Sequence, residues 1–364
     1  MKSTLTMFRS ARISEFTTTF RTLYRNYYTT EKILERENTE TKEIHPYRRI
    51  HPWKSEREFV DDLLKNVIYN ADGIIAINKP YGIPLINKTT KSNKDIYSTY
   101  KIVGAVDYTI KDVLPYLAKE LNVPILIPCL GSEKYMSGVY IFGINDNVCN
   151  QIELAKRRTN GKYKKYWTVT IRVPNEIKGN YHLAMMLKSS VLGDKKPIIL
   201  SQWSNNMAKK DQIQILNISH KVLSNSMHNL SSLLEIESSS RKWNAIKLFA
   251  STMLYSPILG DNIHGSRVQE IMGTWMKVNP FAESCWELPK INRQLLDLLN
   301  ITPNQQEIIP THIHLRSVHL IFGKEKRDLV IQAPLIDPFD WTCKQLMFKI
   351  PVEARNIDQE NEKN

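Results

Sequence analysis

The pattern of apolar positions divides the chain into helices and strands that do not alternate regularly. Ser55-Glu56-Arg57-Glu58 has the form of a capping box, and Phe59, Leu63 and Val67 fall on one face behind it. That spacing predicts a helix opening near Ser55. Asp72-Gly73 is a turn, 74–78 a short apolar strand, and Lys79-Pro80-Tyr81-Gly82 ends it. Residues 87–108 read as a loop. Thr109 then caps a second helix with Ile110, Val113, Leu114, Leu117 and Leu121 on one stripe. Strands follow near 124–129 and 138–144, then a helix over 146–158. From 165 to 173 the chain alternates, with Trp167, Val169, Ile171 and Val173 on one face and Tyr166, Thr168, Thr170 and Arg172 on the other. Signals over 179–228 are weakly strand-like. Residues 230–237, 313–322 and 328–333 read as strands, and a helix over 242–254 separates the first two. The fold class is therefore α+β, with a mixed, mainly antiparallel sheet flanked by helices and not a doubly wound fold.

With 364 residues, 42% apolar and 24% charged, the chain can bury a full core, which excludes a largely disordered or collagenous protein. No apolar run reaches the roughly 18 residues of a membrane span. Fifty Lys and Arg against 37 Asp and Glu leave a net charge of +13, which favours polyanionic partners such as nucleic acid or anionic lipid. In residues 1–30 five bases face one acid, Glu15, and eleven residues are Ser or Thr. This is the composition of a mitochondrial transit peptide, and also of a plain basic tail. Without that segment the chain is still basic, at +9. Residues 31–54 read as a linker, 55–351 as the folded domain and 352–364 as a loose tail.

Candidate chemistry is sparse. Cys129, Cys149, Cys285 and Cys343 form no CxxC pair and read as reduced thiols. His312 and His314 share a strand face, as a metal-binding pair would, but no third ligand accompanies them, and hydrogen-bonded histidines explain them as well. The densest basic cluster is Lys156, Arg157, Arg158, Lys162, Lys164 and Lys165. Helix capping accounts for part of it; six bases in ten residues point to phosphate binding. Tyr166 follows directly, and the alternation leaves it exposed to stack a nucleobase while Trp167 enters the core.

Five segments in order resemble the RluA-type RNA pseudouridine synthases, especially the mitochondrial members of that family. Residues 74–84, IIAINKPYGIP, resemble the family's strand and turn with Asn-Lys-Pro-x-Gly. Ser137-Gly138-Val139 resembles the end of H-R-L-D-x-x-T-S-G, and Lys164-Lys165-Tyr166-Trp167 the Lys-x-Tyr strand. Pro257-Ile258-Leu259-Gly260-Asp261 resembles P-I-x-G-D. LRSVHLIF at 315–322 with Ala333-Pro334-Leu335 resembles the terminal L-H-A-x-x-L-x-F … A-P-L. The resemblance implies a pseudouridine synthase fold and the isomerisation of uridine in RNA, with Tyr166 against the base and without metal or cofactor. It implies mitochondrial rRNA or mRNA as partner, the mitochondrial matrix as location, and mitoribosome assembly factors as further partners.

The departures bear on activity. Anchoring on Ser137-Gly138 places Glu133 at the family's catalytic aspartate. Anchoring on Pro257–Asp261 lays T-G-R-x-H-Q-I-R over residues 240–247, so that Lys247 takes the position of the last arginine, the partner of the aspartate. Glutamate adds a methylene and lysine lacks the planar fork of arginine. The expectation is a pseudouridine synthase-like RNA-binding protein with weak or lost isomerase activity. The alternatives are an active synthase using Glu133 and a protein-interaction subunit with a merely basic surface.

Overall fold

The computed structural model describes residues 44–86, 102–159, 161–210, 212–323 and 327–351. The chain from Pro46 onward forms one body. In order its elements are α1 (Glu56–Lys65), β1 (Val67–Ala71), β2 (Ile74–Lys79), α2 (Ile110–Glu120), β3 (Ile127–Gly131), β4 (Ser137–Gly143) and α3 (Asp146–Arg158). Then come β5 (Lys164–Val169), β6 (Lys178–Ser189), β7 (Lys195–Leu200), α4 (Asn205–Lys209), β8 (Gln214–Asn225), β9 (Ser232–Ser238) and α5 (Ala245–Thr252). The C-terminal part holds β10 (Val268–Ile271), β11 (Thr274–Lys277), α6 (Arg293–Leu298), β12 (Ile313–Phe322), β13 (Arg327–Gln332) and α7 (Phe339–Gln345).

Among the described residues, eleven strands join in one sheet of order β1-β2-β4-β12-β5-β9-β8-β6-β7, with β13 beside β12 and β3 beside β4. Among the described residues only the β4–β12 pair is parallel. There the strands pinch together: Gly138 has φ +108°, and a Cβ on it would lie 2.3 Å from the Leu315 carbonyl oxygen. Only glycine tolerates that combination of backbone and clearance.

Alternate side chains enter cores on the two sheet faces. On one face Ala76, Val139, Ile141, Tyr166 and Ile236 pack with Ile152 of α3 and Ile246 and Phe249 of α5. On the other, Ile75, Ile77, Tyr140 and Phe142 meet α1 and α2, while Trp167, Val169 and Leu233 meet α6 and α7. Each fully buried aliphatic or aromatic side chain here contributes about 1.5–3 kcal/mol.

Local chemistry explains most element ends. The Ser55 hydroxyl accepts from the Glu58 amide, and the Glu58 carboxylate accepts from the Lys54 amide at 2.8 Å. Asn66 ends α1, so Val67 opens a strand and not a further turn of helix. Thr109 and Asp112 form a reciprocal capping box on α2. The weak signals over 179–228 resolve into β6, β7 and β8. The linker reading of 31–54 needs correction at its end. Tyr47, Ile50 and His51 are buried, and Tyr47 belongs to the core of α6 and α7. The readings of 1–30 and 352–364 fall outside the described residues.

Candidate active site

The turn after β2 and the loop between β3 and β4 are built as one unit. Lys79 is fully buried, and its ammonium donates to the carbonyls of Pro80 (2.9 Å), Ile83 (3.1 Å) and Met136 (2.8 Å). Burial pulls its pKa down to about 7. The Gly82 amide donates to the Lys134 carbonyl at 2.8 Å, and the Met136 amide to that of Glu133 at 3.2 Å. Asn78 Nδ2 donates to the Pro334 carbonyl (2.9 Å), and Ser137 Oγ bonds His314 Nδ1 (2.8 Å). The segments singled out at 74–84, 137–139 and 315–335 are thus neighbours in space, and together they hold the loop that presents Glu133.

Beside Glu133 the Gly131 carbonyl accepts from Lys164 Nζ at 2.7 Å and from Arg241 Nη1 at 3.2 Å. The same Arg241 nitrogen lies 3.8 Å from Glu133 Oε1, with both side chains about 40% exposed. Lys164 is buried, and burial with the nearby Arg241 holds its pKa well below the ordinary lysine value. Tyr166 is also within reach of this charge pair. Burial drives its pKa up, Arg241 opposing and Glu133 adding to the shift. Arg241 leads into two consecutive left-handed residues, Trp243 (φ 55°) and Asn244 (φ 56°), immediately before α5. Such backbone costs roughly 1–2 kcal/mol per non-glycine residue and concentrates at functional sites.

Two expectations about this site are corrected. Lys247 does not serve Glu133. It lies on the inner face of α5, 3% exposed, where its charge acts on fully buried Asp261. Burial pushes the Asp261 carboxyl up, while Lys247 and the amides of Ile263 (3.0 Å) and His264 (3.2 Å) pull it down. The cation facing Glu133 is Arg241, which the motif spacing sets on a glycine of the family pattern. Its signal in sequence is only its place directly after the strand that neighbours β5. Tyr166 is likewise not exposed. The two residues do take opposite faces, but helices cover both, so Tyr166 and Trp167 are both core residues. Among the described residues the Tyr166 hydroxyl has no hydrogen-bond partner.

The six-base cluster does not form one surface. Lys164 points inward. Lys156 and Arg157 pair with Glu153 at 2.6 and 3.5 Å. Arg158 donates to the Ile321 carbonyl (3.2 Å), and Lys165 faces Glu237 (3.4 Å) and Glu235 (3.9 Å). Lys162 is exposed. It follows Gly161, where an added Cβ would meet Ser239 at 3.5 Å, so it borders the Arg241 segment. Lys134 and Lys242 are exposed on either side of Glu133 and Arg241. His312 and His314 are hydrogen-bonded within the core. His312 Nε2 bonds Thr342 Oγ1 at 2.7 Å, and His314 bonds Ser137 and the Ala333 carbonyl. Burial lowers their pKa values to about 4 and about 3.

A mixed sheet with this strand order, a carboxylate loop at one face and a tyrosine strand beside it defines the pseudouridylate synthase fold. A solved human structure, RNA Pseudouridylate Synthase Domain Containing 4, superposes with a TM-score of 0.58 over 81% of this chain and 97% of that one, at 22% identity. No family model matches the chain. In sequence it is 25% identical over 333 residues to human "Pseudouridylate synthase RPUSD4, mitochondrial", covering 86% of this chain and 76% of that protein. It is 22% identical over 315 residues to human "Mitochondrial mRNA pseudouridine synthase RPUSD3", covering 84% and 83%. Along most of its length the chain is similar to these mitochondrial pseudouridylate synthases.

Proposed function

We propose that this protein binds mitochondrial RNA, either rRNA or mRNA, in the mitochondrial matrix, and that its uridine-to-pseudouridine isomerase activity is weak or lost. Isomerisation breaks the N1–C1′ bond, turns the base over and joins C5 to C1′. The uridine must leave its stack and enter a pocket. In this protein Glu133 is the carboxylate that would act on the ribose and Arg241 the cation beside it, with Tyr166 in the core beneath them.

One observation carries the reading. The only cation paired with Glu133 among the described residues touches it through a single nitrogen at 3.8 Å, and that nitrogen also donates to Gly131. An arginine that holds a carboxylate through both branches fixes its direction as well as its charge. Here the carboxylate is one methylene longer and is held at one point. A misplacement of about 1 Å costs about 10²-fold in rate. RNA binding rests on Lys134, Lys162, Arg241 and Lys242, the exposed bases at the rim of this loop.

A second reading, an active synthase, is favoured by the convergence of Glu133, Arg241 and Tyr166. Quantitative pseudouridine mapping in mitochondria carrying wild-type protein or Glu133→Ala separates the two. No difference between the maps supports RNA binding without significant catalysis. A site modified by the wild type and lost in the variant establishes the active synthase. Residues 1–30 fit an import sequence removed on entry, which N-terminal sequencing of the mature protein tests. Mitoribosome assembly is the role such a binder would serve, and co-sedimentation with assembling subunits tests it.

A further inference from the structure

Cys129 and Cys149 are free thiols, both half-buried, and their sulfurs lie 3.0 Å apart. That is inside ordinary sulfur–sulfur contact and about 1 Å longer than a disulfide bond. Neither residue is part of the Glu133 site. Cys129 is the extra residue of a bulge in β3: Pro128 pairs with Phe142 and Leu130 with Ile141, leaving Cys129 out of register. Cys149 sits in the first turn of α3. The approach depends on Gly143, where a Cβ would lie 2.7 Å from Cys149 Sγ. Three features, the bulge, the helix start and the glycine, thus bring two thiols from positions twenty residues apart into contact.

We infer that Cys129 and Cys149 are a redox modification site that closes to an intramolecular disulfide by exchange with a low-molecular-weight disulfide. Cys149 gives up its thiol proton, and its thiolate attacks one sulfur of the oxidant, releasing one small thiolate and leaving a mixed disulfide. Cys129 then gives up its proton as its sulfur attacks Cys149 Sγ, and the second small thiol departs. Two electrons and two protons pass from the cysteines to the oxidant, which is reduced to two thiols. Cys129 is the resolving partner, because burial and the neighbouring sulfur push its pKa up to about 12. The new bond ties β3 to α3 two residues before Gly131, whose carbonyl anchors Lys164 and Arg241. Oxidation therefore stiffens the strand that leads into Glu133.

The test uses the reduced full-length chain incubated with glutathione disulfide. The expected product has lost roughly 2 Da and two of its four thiols. After proteolysis under non-reducing conditions, one linked species joins the peptides holding Cys129 and Cys149. It disappears on reduction and is absent in Cys129→Ser and Cys149→Ser, while Cys285→Ser retains it. Because the two sulfurs already lie about 1 Å from bonding distance, the oxidised protein melts several degrees higher than the reduced one. Four thiols persisting, stable glutathione adducts at Cys149, linkage between separate chains, or a lower melting temperature on oxidation would each overturn the inference.

Discussion

Replacing Lys247 with methionine decides whether this lysine belongs to the reaction or to the core. The residue is 3% exposed, and its charge is set against Asp261, which is fully buried. Methionine keeps the volume of the stem and removes only the ammonium. The aspartate then stays in the interior with the two amide bonds from Ile263 and His264 as its main support. Removing that opposing charge leaves a buried carboxylate less well compensated, at a cost of about 1–3 kcal/mol. For a body of this size each kcal/mol lowers the melting temperature by roughly 2 °C, so a drop of about 2–6 °C at pH 8 is expected. The loss has a characteristic pH dependence. Without Lys247 the Asp261 pKa rises further above its unfolded value, so the folded state takes up a proton more readily than the unfolded chain. The deficit therefore shrinks as the pH falls towards 5. Asp261→Asn in the same chain keeps an acceptor for both amides and should recover most of the lost stability at pH 8. Melting curves of the three variants at pH 8 and pH 5.5 provide the measurement. An unchanged melting temperature in Lys247→Met, with RNA modification or binding abolished, would refute this and return Lys247 to Glu133.

Arg241→Ala with Lys242→Ala should weaken binding of single-stranded RNA and lower the log–log salt slope by roughly 0.7 for each phosphate no longer neutralised, with little change in melting temperature; an unaltered slope in a salt titration would move the RNA surface elsewhere. Tyr166→Phe should stabilise the protein by about 1 kcal/mol in denaturant titrations, since it removes a buried hydroxyl that has no partner, whereas Tyr166→Ala should cost about 3–5 kcal/mol as a core truncation. His312 and His314 take up protons in the unfolded chain near pH 6.5 but in the fold only near 4 and 3. Stability should therefore be fully present above about pH 6.5 and fall progressively towards pH 4. Urea midpoints measured across that range, flattened in His314→Gln, check this.

Wherever neighbours along the chain settle the matter, the pattern of residues is sufficient. The caps at Ser55 and Thr109, the helix over 146–158 and the alternation around 165–169 depend on interactions within four residues, and each forms close to where its spacing places it. The motif segments near 78, 137, 164 and 315 also foretell a shared neighbourhood, because each supplies one part of a common hydrogen-bonded loop. Alternation specifies which face a side chain takes. Whether that face meets water depends on helices far along the chain, and α5, α6 and α7 decide that Tyr166 and Trp167 are both interior. Charge counts show the same division. Six bases in ten residues are visible in the sequence, but their partners Glu153, Glu235 and Glu237 come partly from another strand, and the inward turn of Lys164 follows from the β3 edge. The carboxylate position at Glu133 is legible because it lies at a fixed distance along the chain from Ser137-Gly138. Its cation is not, because the choice between Arg241 and Lys247 depends on where α5 begins and which of its faces is buried. Two left-handed residues at 243 and 244 start that helix late, leaving Arg241 in the approach beside β3 and turning Lys247 inward to Asp261. The sequence alone determined local periodicity and the presence of the chemical groups; pairing among charged groups distant in sequence was decided by the packing that brings them together and removes them from water.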